Sequence, residues 1–144
     1  MDSPLVSIFC LSYNHGAYLK RAFDSFDMQQ LDAPIEIVIH DDASTDGSDK
    51  IIREYASRNP NVKAIIQKEN QYTKHGGFSF LSEIPLAGKY VAVCEGDDYW
   101  TDPQKLSRQV AYLEAHPNCS LVFHPVRTIR SWEPNQPDHT FDGL

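Results

Sequence analysis

An α/β domain built on a mostly parallel sheet is the fold class this 144-residue sequence predicts. Three observations carry the prediction. Short continuous apolar runs recur, as strands covered on both faces require. Between them lie segments whose apolar residues repeat at helical spacing. Clusters of Gly, Pro, Asn, Asp and Ser punctuate the two kinds. Strands alternating with amphipathic helices lead to a parallel sheet with helices packed on it.

The elements follow in order. Leu5 to Ser12, LVSIFCLS, reads as the first strand, broken by YNHG. From Ala17, the residues Leu19, Ala22, Phe23 and Phe26 fall on one helical face. Glu36 to His40, EIVIH, is rich in β-branched residues and reads as the second strand. DDASTDGSD follows, where Ser44 or Thr45 is expected to cap a helix that buries Ile51, Ile52, Tyr55 and Ala56 and stops before Pro60. Val62 to Gln67 reads as the third strand and KENQYTKHGG as a polar loop with a hinge at Gly76–Gly77. FSFLSEIPLA is a weak helix interrupted by Pro85, and Lys89 to Cys94 reads as the fourth strand. Asp102-Pro103 starts a helix carrying Leu106, Val110 and Leu113, which ends at His116-Pro117. CSLVFHPV, Cys119 to Val126, reads as a fifth strand, and residues 127–144 read as an irregular tail.

Composition narrows the function. The chain is 41% hydrophobic and 23% charged, so one domain with one core is expected. A net charge of −7 without a basic patch argues against a nucleic-acid backbone as partner. No apolar run approaches the roughly 20 residues of a membrane-spanning helix, and MDSPLVSIFCLSYN lacks the basic start and cleavage site of a signal peptide. Cys10, Cys94 and Cys119 all lie in apolar runs and read as small buried hydrophobes in a reducing cytoplasm.

In a parallel sheet the ligand lies beyond the carboxyl ends of the strands. Three polar clusters are expected to gather there: SYNH, HDDASTD and CEGDD. In the last, Glu95, Asp97 and Asp98 crowd three carboxylates into four residues. Their repulsion beside an apolar sheet is weakly screened, so either they face open water or a cation belongs among them. A hard divalent ion, Mg²⁺ or Mn²⁺, suits such oxygens and leaves positions for phosphate. The plainer reading is that these acids, like Asp41-Asp42, cap helices or sit in solvated turns. Tyr13 is either a stacking surface for a planar ligand or an ordinary half-buried aromatic, and Asn14 holds a turn. DDASTDG is no calcium loop, because Arg53 falls where its closing acid is needed. Histidines 15, 40, 75, 116, 124 and 139 show no ligand spacing and read as surface or turn residues. Glycine-rich dinucleotide and P-loop cradles are absent.

A strand ending SYNH, a strand ending HDDASTDGS and a strand ending CEGDDYW before DPQKLSRQV closely resemble the nucleotide-binding half of family 2 glycosyltransferases. The resemblance runs from Pro4 to about Val126. It implies the GT-A fold, a Rossmann-like three-layer sandwich with a mostly parallel sheet. Residues 1–126 would be the nucleotide-sugar-binding domain, and 127–144 an irregular tail or the start of the acceptor-binding region, whose bulk would lie beyond this chain. Tyr13 would pack on the uracil or other base, Asp42 would read the base, Asp97 would approach the ribose and sugar side, and Asp98 would bind Mn²⁺ or Mg²⁺. Asp41, Asp46 and Glu95 match in sequence but rank below these, and Leu11 stands where some members carry threonine.

The implied reaction is inverting, metal-dependent transfer of a hexosyl unit from a nucleoside-diphosphate sugar, UDP-linked, to a saccharide or lipid-linked acceptor. Surface-polysaccharide assembly, in the cytoplasm or at the inner face of the membrane, is the expected setting. The family's catalytic base lies in its C-terminal half. Asp138, His139 and Asp142 are in the tail, and no base is named here. Pairing of exposed edge strands into a homodimer is a further expectation. Two alternatives stand beside this reading: a catalytically silent nucleotide-sugar-binding fragment, and a nucleotidyltransferase.

Overall fold

The computed structural model describes residues 3–129 and the backbone of the strand His139–Phe141. Four strands form one fully parallel sheet: β1 (Val6–Ser12), β2 (Ile35–Asp41), β3 (Val62–Ile66) and β4 (Tyr90–Val93). Their spatial order is β3-β2-β1-β4. The register sets Val6 opposite both Ile35 and Tyr90, and Ser12 opposite Asp41. The chain therefore builds outward from β1 through β2 to β3, then returns to the other side of β1 for β4. The reversal makes the β1–β4 junction the switch point of the sheet, and parallel sheets take ligands at such a point, beyond the carboxyl ends of the strands.

Helix α1 (Leu19–Asp27) forms because Leu19, Ala22, Phe23 and Phe26 repeat at helical spacing, and all four are buried. Helix α2 (Ser48–Arg58) buries Ile52 fully, while Ile51, Tyr55 and Ala56 are only half-buried. The Tyr55 ring stacks on Phe23 at 4.1 Å, and its hydroxyl donates to Asp27 Oδ1 at 2.6 Å. On the sheet, Val6, Ile8, Cys10, Ile37 and Ile39 are each at most 3% exposed and belong to the core. Ring contacts also join Phe26 to Trp100. Gln29 reaches the segment after Trp100: its amide donates to the Asp102 carbonyl, and its Oε1 accepts from Leu106 N.

Several expected boundaries move. Ser44 and Thr45 do not cap α2, which starts at Ser48 after Gly47; Asp46 accepts from Ser48 N and Oγ instead. The polar loop after β3 holds a short helix, α3 (Gln71–His75), because Asn70 Oδ1 accepts from Thr73 N and caps it. SFLSE is a 3-10 helix (Ser79–Glu83) whose Phe80 covers His40, with ring centroids 5.0 Å apart.

The chain divides into two compact units, Met1–Arg108 and Gln109–Leu144, the division falling within α4 (Lys105–Ala115). In the second unit the expected fifth strand is corrected. Cys119–Pro125 joins no ladder among the described residues, and Leu121 and Phe123 are exposed. The run has strand propensity but no partner edge to take its backbone bonds. Instead β5 (Val126–Thr128) pairs antiparallel with β6 (His139–Phe141), inside the tail expected to be irregular. Asp138 and Asp142 lie outside the described residues, and of His139 only the backbone is described.

At the amino end of the sheet a buried clamp holds three strands. Glu36 accepts from Ser7 Oγ at 2.5 Å, from Lys63 Nζ at 2.6 Å and from Ala87 N at 2.5 Å. Gly88 N donates to Ser7 Oγ, and a Cβ at Gly88 would fall 2.4 Å from Ser7 N. Only glycine lets the chain enter β4 so close to β1.

Candidate functional site

Backbone bonds at the carboxyl end of β1 draw three segments together. Asp42 N donates to the Ser12 carbonyl at 2.9 Å from one side, and Gly96 N donates to the Leu11 carbonyl at 2.9 Å from the other. Tyr13 therefore stands between the DDASTDGS loop and the EGDD loop. Its side chain is 47% exposed, as a stacking surface must be. Asp42 is buried, whereas Asp97 and Asp98 are exposed. All four residues singled out in the sequence reach this one rim.

The first two loops are zipped. Asn14 N donates to Ser44 Oγ at 2.9 Å, Thr45 N donates to Asn14 Oδ1 at 2.8 Å, and Gly16 N donates to Asp46 Oδ2 at 2.8 Å. Both loops turn through left-handed backbone, Asn14 at φ 57° and Ala43 at φ 63°. Asparagine tolerates that region, but alanine adopts it only under constraint. Asp41 supplies the constraint: its fully buried carboxylate accepts from Ser44 N and Ser44 Oγ. Asp46 is held below the usual carboxylate range, chiefly by the Ser48 hydroxyl. Asp41 and Asp46 are thus loop anchors, and Asp41 neither caps a helix nor sits in a solvated turn: it is fully buried and bonds Ser44, four residues before α2 begins.

Asp42 is held differently. Its Oδ1 accepts from Gln71 N at 2.6 Å and its Oδ2 from Tyr72 N at 3.1 Å, which ties it to the start of α3. The ring of Tyr72 is exposed and meets Phe78 edge-on at 4.8 Å, so an aromatic pair flanks the Asp42 side of the rim. A shallow groove of about 490 Å³ adjoins it, lined by Ile66, Gln67, Lys68, Glu69, Gln71 and Lys74. None of Tyr13, Asp97 or Asp98 lines that groove.

In the third loop, Glu95 and Asp98 are both pushed above the usual carboxylate range, first by burial and next by Asp97. Negative charge is therefore crowded there, as the sequence implied. His15 opposes the shift in both cases and lies 3.7 Å from Asp97 Oδ1. His15, read from the sequence as a surface or turn residue, instead has its Nδ1 buried beside this loop. Among the described residues, no group of three or more His, Cys, Asp and Glu side chains is arranged to enclose a metal ion. The donor chemistry nonetheless fits a hard divalent cation. Mg²⁺ and Mn²⁺ take one or two protein carboxylates and complete their shells with water and phosphate. A cation at Asp98 would offset both the burial and the Asp97 repulsion that raise Asp98 and Glu95. Cys94, just before this loop, is pushed up to about 12, mainly by burial, and is no nucleophile.

The profile of glycosyl transferase family 2 matches residues 7–142. The chain belongs to that family. An uncharacterized protein of Mycobacterium tuberculosis (strain H37Rv) is 44% identical over 139 residues, covering 96% of this chain and 39% of the relative. The chain thus spans well under half the length of that relative. Among solved structures it is similar to the mannosyltransferase PcManGT of Pyrobaculum calidifontis, in complex with GDP-Man and Mn²⁺ (TM-score 0.61, 24% identity, 78% of this chain and 33% of that one). It is equally similar to residues 1–349 of TarS from S. aureus in complex with UDP (TM-score 0.61, 24% identity, 78% and 32%). At that identity the likeness shows the GT-A fold, as expected from the sequence.

Proposed function

We propose that this chain is the nucleotide-sugar-binding part of a metal-dependent, inverting glycosyltransferase that uses a UDP-linked donor. The single observation that supports the reading is the pair of bonds from Asp42 N to the Ser12 carbonyl and from Gly96 N to the Leu11 carbonyl, which brings the loops bearing Tyr13, Asp42, Asp97 and Asp98 to the carboxyl end of β1. Tyr13 offers its exposed ring to the face of the base. Asp42 has two of its acceptor positions filled by the Gln71 and Tyr72 amides, and an ionised carboxylate has about four. One remaining position accepts from an N–H on the edge of the base. Asp97 takes a hydroxyl on the ribose or sugar side, and Asp98 would hold Mn²⁺ or Mg²⁺ together with the diphosphate. When bound, the cation supplies charge stabilisation for the leaving diphosphate. Inversion also needs a carboxylate to remove the acceptor proton, and no residue of this chain is assigned that role. A saccharide or lipid-linked acceptor in surface-polysaccharide assembly completes the reading.

Calorimetric titration with UDP, with and without Mn²⁺, tests it. Binding that tightens at least about tenfold with Mn²⁺ is expected, and Asp98→Ala should remove that gain while leaving the thermal midpoint near wild type. Unchanged metal dependence in Asp98→Ala counts against the metal role. GDP binding in place of UDP would correct the base, and no binding of either would refute the reading. Hydrolysis of a UDP-sugar separates an active enzyme from a silent binding module.

A further inference from the structure

We propose that His15 is a positioning residue for Asp97: its Nδ1–H is directed at the Asp97 carboxylate and fixes that side chain for ligand contact. The inference rests on the nucleotide-binding reading above and extends it to a residue outside the four already named.

Three observations converge on it. The Nδ1 atom of His15 is buried and has no hydrogen-bond partner, yet Asp97 Oδ1 lies only 3.7 Å away. A buried ring nitrogen without a partner is costly, and such groups call for a specific explanation. The backbone of His15 is also pinned, since its carbonyl accepts from Tyr18 N at 2.8 Å and Leu19 N at 3.1 Å. The imidazole is therefore a fixed point and the half-exposed Asp97 the adjustable one. Finally, the glycine of EGDD leaves room for the ring: a Cβ at Gly96 would fall 3.0 Å from His15 Nδ1 and 3.0 Å from Leu19 Cδ2. The acidic loop is thus shaped around the imidazole.

A movement of Asp97 by about 1 Å brings the pair to hydrogen-bond length. The carboxylate selects the tautomer with hydrogen on Nδ1, because a bare lone pair there would face another lone pair. One Asp97 oxygen is then held by His15, and the other is free for a ligand hydroxyl in a set orientation. Partners that orient metal-binding side chains typically matter by about 10–100-fold, and an effect at the lower end of that range is expected for His15 on Asp97.

The test compares His15→Asn, whose amide nitrogen takes roughly the place of Nδ1, with His15→Ala. UDP affinity in Mg²⁺ should fall about tenfold in the alanine variant and recover substantially in the asparagine variant. In an Asp97→Asn background, His15→Ala should have little further effect. Nitrogen-detected NMR of the imidazole should show hydrogen on Nδ1 in wild type and a changed signal in Asp97→Asn. Equal losses for alanine and asparagine, additive losses in the double variant, or an unprotonated Nδ1 would each overturn the proposal. If wild type binds no UDP, the nucleotide reading fails, and the NMR comparison in the free protein still decides the His15–Asp97 pairing.

Discussion

Ala43 is the residue where local preference and structure disagree most plainly. It sits at φ 63° between Asp42, anchored to α3, and Ser44, anchored to Asp41. Left-handed backbone costs a non-glycine residue roughly 1–2 kcal/mol, and it persists where surrounding bonds over-determine it. The kink aims two adjacent carboxylates at different partners. Ala43→Gly is expected to stabilise by about 0.5–1 kcal/mol, the relieved strain exceeding the added entropy of the unfolded chain. Ala43→Val is expected to destabilise by at least about 1 kcal/mol. Urea midpoints read both, and a neutral valine variant would show that the strain is not real. The sequence offered no sign of this turn, because backbone strain leaves no compositional trace.

At the scale of elements, the two ends of the sheet serve different ends. The carboxyl rim carries the exposed acids, whereas the amino end is closed by the Glu36 clamp joining β1, β2, β3 and the approach to β4. Burial by itself would raise Glu36, but hydrogen bonds from Lys63, Ser7 and the Ala87 amide outweigh it and hold the carboxyl at about 2. The folded value thus lies below the ordinary 4.5. The resulting stability is fully present above that ordinary value and is lost as pH falls toward 2. With half-exposed Lys63 discounted, the clamp contributes about 1–3 kcal/mol at neutral pH. Glu36→Gln should lose that amount at pH 7, and its deficit against wild type should shrink steadily as the solution is acidified. Denaturant titrations across that range check the sign; a deficit growing toward low pH would refute it.

For the whole molecule, the four sheet strands and the rim at their carboxyl ends were legible because period and punctuation report burial directly, whereas their spatial order was not. SYNH, HDDASTDGS and EGDD marked three strand ends, and those ends do meet. The fifth strand was not legible: CSLVFHPV has the composition of a strand, but a ladder also needs a partner edge, which no single segment encodes. His15 escaped for a related reason, since its significance comes from a residue 82 positions away in sequence, Asp97, in the loop after β4. β4 is an outermost strand of its sheet, and Val91 and Val93 on it are 50% and 62% exposed. Apolar edges of this kind invite pairing between copies. Sedimentation velocity is expected to show association rising with concentration, and Val93→Lys should suppress it. A strictly monomeric wild type would remove the homodimer expectation.

The latch between Asn14 and the Ser44–Asp46 segment also bears on how fast and with what heat a nucleotide would arrive. Walls that are already immobile need no search for a receptive shape, so capture should proceed in one step, limited by encounter and cation exchange. The conformational freedom of these walls disappears when the polypeptide folds, leaving a modest entropic penalty for the incoming molecule.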